Sequence, residues 1–130
     1  MDARALQQVI ATKLGADPNI AVVYLFGSRA RGQAHAASDV DLGILYRVAP
    51  KSTLLEQPFE LQAELSDVLG MPADIVVMNT APADLVHRVL RDGVIVLEAD
   101  KSLRIAFEVR ARNAYFDLLP TLQRYRRRSA

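Results

Sequence analysis

The sequence contains no cysteine and no tryptophan, and aromatic residues make up only 6% of its 130 residues. Without cysteine, the chain can form neither disulfide bonds nor thiolate metal sites, and it has no cysteine nucleophile. Its two histidines, His35 and His87, cannot form a zinc site by themselves. These absences favour a protein of a reducing compartment.

Long apolar runs and a strong net charge are also missing. The longest apolar run, Ile20–Phe26, is far too short to cross a bilayer, and Met1–Gly15 lacks the apolar core of a signal peptide. A formal net charge of +1 creates no overall field that would attract nucleic acid or a membrane surface. With 51% hydrophobic and 24% charged residues, the chain is expected to be one cytoplasmic globular domain over residues 1–130.

Helical and extended patterns alternate along the chain, which predicts an α/β or α+β fold. Strands are predicted at Ile20–Phe26, Asp39–Tyr46, Ala73–Met78 and Val94–Glu98. Helices are predicted at Ala3–Leu14, Pro58–Leu69, Pro82–Arg91 and Ser102 to about Arg127. The order and direction of the strands cannot be inferred from these patterns.

The C-terminal helix carries a proline and a cluster of arginines. Pro120 is expected to kink or break the helix because it lacks a backbone N–H group. The arginines after position 123 are typical either of a solvated helix end or of a tail that docks a partner or contacts RNA. The residues expected on the buried face of this helix are Leu103, Phe107, Ala114, Leu118, Leu122 and Tyr125.

A Gly-Ser pair follows the first predicted strand. Gly27 and Ser28 stand where a glycine lets the backbone approach a ligand and where exposed amides can receive a phosphate. Arg29 and Arg31 could add contacts to phosphate oxygens, although each could equally be a solvated arginine. Taken alone, the pair is more typical of an ordinary turn.

Three aspartates lie at the beginnings of two later strands. Asp39 and Asp41 are two residues apart, so a strand would direct both carboxylates to one face, and Asp74 opens the Val/Ile-rich third strand. Adjacent carboxylates repel each other, so the arrangement favours a bound cation, and oxygen ligands suit Mg²⁺ or Mn²⁺. The alternative is a solvent-facing strand end with no ligand.

The combination of Gly27-Ser28, Asp39-x-Asp41 and Asp74 resembles the DNA polymerase β nucleotidyltransferase superfamily. Within it the chain is similar to the minimal nucleotidyltransferases (MNT proteins), many of which are antitoxins encoded beside HEPN toxins. The resemblance implies a mixed sheet of about four strands flanked by helices. It also implies that the three aspartates are catalytic and hold two Mg²⁺ ions, while Gly27, Ser28, Arg29 and Arg31 bind the nucleotide.

The leading interpretation is therefore a Mg²⁺-dependent enzyme that transfers AMP from ATP to a protein hydroxyl, a tyrosine of a HEPN ribonuclease toxin in the known relatives. Two alternatives remain: a binding module that occludes its partner without catalysis, and a nucleotidyltransferase acting on a small molecule. The occupied acidic positions disfavour the first. Relatives of the second kind carry an added helical domain for which 130 residues leave no room.

Overall fold

The computed structural model of the chain describes residues 2–30, 39–50 and 58–129. Strands and helices alternate along it, as the sequence predicted. The helices are α1 (Ala3–Gly15), α2 (Phe59–Leu69), α3 (Ala83–Asp92) and α4 (Lys101–Ser129). The strands are β1 (Ile20–Phe26), β2 (Val40–Tyr46), β3 (Ala73–Val77) and β4 (Val94–Glu98).

The four strands form one mixed sheet in the order β3-β2-β1-β4. Strand β1 runs antiparallel to both β2 and β4, whereas β3 runs parallel to β2. The parallel pair needs a crossover, and α2 lies in the connection that makes it. The prediction of a small α+β domain with a four-stranded mixed sheet and a C-terminal helix is confirmed.

Helices cover both faces of the sheet, so the central strands are buried on both sides. Helices α1 and α2 pack on one face, where Ile10, Leu42 and Leu65 belong to one apolar cluster. Helices α3 and α4 pack on the other, where Tyr24, Val89 and Phe107 belong to a second cluster. Burial on both faces explains why Ile20–Phe26 is continuously apolar.

Polar side chains and a glycine fix the helix ends. The Asp2 carboxylate accepts a hydrogen bond from the Ala5 N–H at the start of α1, and Gly70 ends α2 in the left-handed conformation with φ +69°. Asp100 caps α4 by accepting from the Leu103 N–H and also pairs with Arg47 at 2.6 Å. Its position therefore joins the start of α4 to the end of β2.

Several predicted boundaries shift by one or two residues. Strand β2 begins at Val40, so Asp39 precedes it, and β3 ends at Val77. Pro58 and Pro82 cap α2 and α3 and do not lie in their first turns. These shifts are the usual uncertainty at the ends of elements, where hydrogen bonding is incomplete.

Helix α4 departs most from the prediction. It runs for 29 residues and continues through Pro120, so the expected break does not occur. Phe107 is its last buried side chain; Ala114 is exposed and Tyr125 is 72% exposed, so their assignment to the buried face is wrong. His87 of α3 stacks on Tyr115, with ring centroids 3.7 Å apart, and fixes the middle of α4 against α3.

The prediction that Ile20–Phe26 does not span a membrane agrees with its place as β1 in the middle of the sheet. Within the described parts of the chain, no helix is both long and apolar enough to cross a bilayer.

Candidate active site

The carboxyl end of β1 and the amino ends of β2 and β3 meet at one end of the sheet. Phe26, the last residue of β1, pairs with Asp41 of β2, and Asp41 pairs with Asp74 of β3. Because neighbouring strands lie about 4.8 Å apart, these residues form one row across three strands. The fold therefore makes Asp41 and Asp74 direct neighbours, although 33 positions separate them in the sequence.

The two carboxylates point to the same side of the sheet. Leu42 and Ile75 belong to the core under α1 and α2, so the alternation of side chains places Asp41 and Asp74 on the side of α3 and α4. Asp39 lies just ahead of β2, two residues before Asp41. Asp39 and Asp74 are exposed and Asp41 is half-buried, so a ligand can reach this end of the sheet from solvent.

Gly27 brings the backbone against the Asp41 carboxylate. Its φ of +76° is a conformation that only glycine adopts readily, and a Cβ atom at this position would lie 2.3 Å from Oδ2 of Asp41. No other residue could hold this turn without displacing the carboxylate. The predicted Gly-Ser turn therefore lies against Asp41, one member of the predicted acidic pair.

Ser28 and Arg29 follow Gly27 in the same turn, and both are half-buried. Arg31, which was predicted to contact the nucleotide, lies outside the described residues, as do His35 and Ser38.

The oxygen donors of this site fit a divalent cation such as Mg²⁺. Across residues 2–30, 39–50 and 58–129, no three acidic or histidine side chains already converge as a set of metal ligands. Carboxylates repel one another, so their convergence requires a cation between them. A side chain larger than glycine at position 27 would collide with the Asp41 carboxylate, so the glycine keeps this ligand candidate in its place.

A sequence model of the nucleotidyltransferases of the polymerase beta type matches residues 8–102, which include the whole site. The chain belongs to the polymerase beta nucleotidyltransferase family. The resemblance to minimal nucleotidyltransferases is also confirmed, because a solved structure described as a candidate minimal nucleotidyltransferase is 30% identical. That match covers 72% of this chain and 95% of the other, with a TM-score of 0.56.

Solved toxin–antitoxin complexes contain chains with the same fold as this nucleotidyltransferase. One is a toxin–antitoxin with AMP-PNP, with a TM-score of 0.81 and 24% identity over 92% of this chain and 94% of the other. Another is the complex of a tri-AMPylated Shewanella oneidensis HEPN toxin with its MNT antitoxin, with a TM-score of 0.77 and 21% identity over 95% of each chain. A comparison with curated proteins finds no match.

Two residues of the nucleotidyltransferase that border the site were not singled out from the sequence. Gln62 and Ser66 of α2 accept hydrogen bonds from the backbone N–H groups on either side of Asp74. Their spacing of four positions places both on one face of the helix. This spacing points to a contact with β3 only once β3 is known to lie at the edge of the sheet.

Proposed function

We propose that this nucleotidyltransferase is the antitoxin of a toxin–antitoxin pair, and that it transfers AMP from ATP to a tyrosine hydroxyl of a HEPN ribonuclease in the cytoplasm. The observation that carries the proposal is the contact of the Gly27 backbone with Asp41, directly beside Asp74. In the proposed site, the turn at Gly27 binds phosphate and the two neighbouring aspartates bind the metal. The fold shared with a toxin–antitoxin that holds AMP-PNP agrees with this assignment.

Each predicted site residue has a role in the proposed reaction. Asp39, Asp41 and Asp74 would hold Mg²⁺, which neutralises the triphosphate and activates the acceptor hydroxyl when bound. The backbone and hydroxyl at Gly27 and Ser28 orient the phosphates. Arg29 or Arg31, which follow in the sequence, would neutralise the β- and γ-phosphates.

The transfer is a displacement at the α-phosphorus of ATP. The acceptor oxygen forms a bond to this phosphorus, the bond from the phosphorus to the pyrophosphate oxygen breaks, and the hydroxyl proton passes to solvent. The residues contribute mainly by positioning the reactants and stabilising charge. Because Asp39 and Asp74 are exposed, a protein side chain can reach the site without a channel.

The second half of α4 is the proposed docking surface for the partner. With 29 residues, α4 is about 43 Å long, and no described side chain after Phe107 is buried. Phe116 is 58% and Tyr125 is 72% exposed, and four of the five residues at 124–128 are arginines. Aromatic residues and arginine are enriched in protein interfaces, and this combination fits an acidic partner surface with apolar pockets.

Incubation with a HEPN protein encoded beside this gene tests the proposal. After the two are co-purified and treated with MgATP, intact-mass spectrometry should show increments of one AMP on the partner. The Asp39→Asn variant should still bind the partner but add no mass. Neutralisation of the ribonuclease by this variant, without any added mass, would establish the non-catalytic binding module.

A further inference from the structure

Strand β3 lies at one edge of the sheet, yet its outward N–H groups next to Asp74 are not open. The Ala73 N–H donates to the Ser66 hydroxyl at 3.1 Å, and the Ile75 N–H donates to the Gln62 amide oxygen at 2.8 Å. The Ser66 hydroxyl in turn donates to the backbone carbonyl of Gln62 at 2.7 Å. Side chains of α2 therefore take the place that a neighbouring strand would occupy.

The dimensions of the two elements explain why this fits. Residues four apart on a helix are separated by about 6.0 Å along its axis, and residues two apart on a strand by about 6.6 Å. Helix α2 and strand β3 run antiparallel at this contact, since Ser66 binds Ala73 and Gln62 binds Ile75. On the other side β3 is held by β2, for example through the hydrogen bond from the Val40 N–H to the Pro72 carbonyl at 2.9 Å.

Asp74 thus sits on a backbone segment that is fixed from both sides. Ala73 and Ile75 are both buried, so water cannot readily replace a lost acceptor at their N–H groups. Asp74 itself is exposed, so its side chain is not fixed by burial. The placement of its carboxylate relative to Asp41 therefore depends on the backbone at 73–75.

We propose that Gln62 and Ser66 are positioning residues, which set the place of the Asp74 carboxylate beside Asp41 by holding the outer edge of β3. The inference rests on the proposed function, in which Asp74 serves the transfer reaction. Neither residue touches the reactants. Their influence reaches the reaction through Asp74 alone.

Matched substitutions separate this role from general stability. Gln62→Met removes the acceptor at nearly constant side-chain length, and Gln62→Glu restores an acceptor oxygen; Ser66→Ala and Ser66→Thr form the same kind of pair. Gln8 is exposed on α1 and its side chain makes no hydrogen bond within the described residues, so Gln8→Met is the control. Thermal melting of every variant confirms that it is folded under assay conditions.

The readouts are kcat, the KM for ATP and the Mg²⁺ concentration that gives half-maximal transfer to the partner. Gln62→Met and Ser66→Ala should lower kcat roughly tenfold and raise the required Mg²⁺ concentration by a similar factor, as is usual for groups that orient a metal ligand. The KM for ATP should change less than about twofold, because Gly27 and Ser28 are untouched. Gln62→Glu and Ser66→Thr should recover most of the loss.

A double substitution gives the decisive result. In the Asp74→Asn background, Gln62→Met should cause no further loss in residual transfer, because its effect passes through Asp74. An equal loss in both backgrounds, or wild-type kinetics for Gln62→Met, would overturn the positioning role. If Asp74→Asn itself transfers AMP like the wild type, the proposed function of the site is wrong, which is a different outcome and is seen in the same assay.

Discussion

Substitution of Gly27 by alanine tests the site most directly. The new methyl group would lie 2.3 Å from Oδ2 of Asp41, whereas carbon and oxygen atoms in contact are normally about 3.3 Å apart. The carboxylate must therefore move by about 1 Å. The side chain can rotate away, so the fold is expected to survive while the site is disturbed.

Two separate costs follow. The left-handed backbone at φ +76° costs an alanine roughly 1–2 kcal/mol of folding free energy. Misplacement of a reacting group by about 1 Å can lower the rate about a hundredfold, which is about 2.7 kcal/mol of activation free energy. Gly27→Ala should thus melt roughly 3–8 °C below the wild type and lose almost all transfer activity.

Gly70→Ala is the matched control. Gly70 has nearly the same backbone angle, φ +69°, but an added Cβ meets no atom within 4 Å. This variant should show the same loss of thermal stability as Gly27→Ala and keep wild-type kcat. Both should be measured by thermal melting and by the rate of AMP incorporation into the partner, per folded molecule.

Two results would refute the reasoning. Full activity in Gly27→Ala would mean that the position of the Asp41 carboxylate does not matter for transfer. An equal loss of activity in Gly70→Ala would mean that the effect comes from backbone strain and not from the collision with the carboxylate.

Further predictions concern charge and burial. Asp41→Asn and Asp74→Asn should each reduce transfer to a small residual rate and leave the metal-free protein as stable as the wild type or more so, because the repulsion between carboxylates is relieved. An activity assay and melting curves check the two expectations, and a wild-type transfer rate in either variant would contradict the assignment. When Mg²⁺ is present, ATP at about 100 times its dissociation constant should raise the free energy of unfolding of the wild type by roughly 2.7 kcal/mol. Without Mg²⁺ it should not, and equal stabilisation in excess chelator would exclude a metal-bridged site. Burial raises the pKa of the Tyr24 and Tyr46 hydroxyls above their usual value near 10, so both keep their protons in the folded state while the unfolded chain loses them. The free energy of unfolding should therefore fall above about pH 10, by up to about 1.4 kcal/mol per pH unit for each tyrosine, and denaturant titrations of Tyr24→Phe should show a shallower fall.

Much of the fold could be predicted because its elements carry strong local signals. The continuously apolar Ile20–Phe26 and the alternating pattern before Tyr46 identify β1 and β2 to within a residue. The strand order could not be predicted, since it depends on pairing between distant segments. The expected break at Pro120 does not occur because the proline removes a single hydrogen bond, to the carbonyl of Phe116, on an exposed part of α4 where water can replace it.

The composition of the candidate site was also predictable, but its assembly was not. The types and spacing of Gly27, Asp39 and Asp41 indicated phosphate and metal chemistry. The contact between Gly27 and Asp41 depends on the register of β1 and β2. That register cannot be predicted from the sequence pattern of either strand. The role proposed for Gln62 could not be predicted either, because a glutamine on a helix surface belongs to no distinctive sequence pattern.

The closure of β3 by side chains of α2 also limits how the protein can associate. Sheets of separate molecules join by backbone pairing at open edges, and fibres need two open edges on every molecule. In the described part of the chain, the outward donors of Ala73 and Ile75 are occupied, while the opposite edge is the short strand β4, with Val94 and Ile95 partly exposed. A second copy that paired with β3 beside Asp74 would therefore have to displace the Ser66 and Gln62 side chains from these donors, whereas a copy that paired with β4 would not.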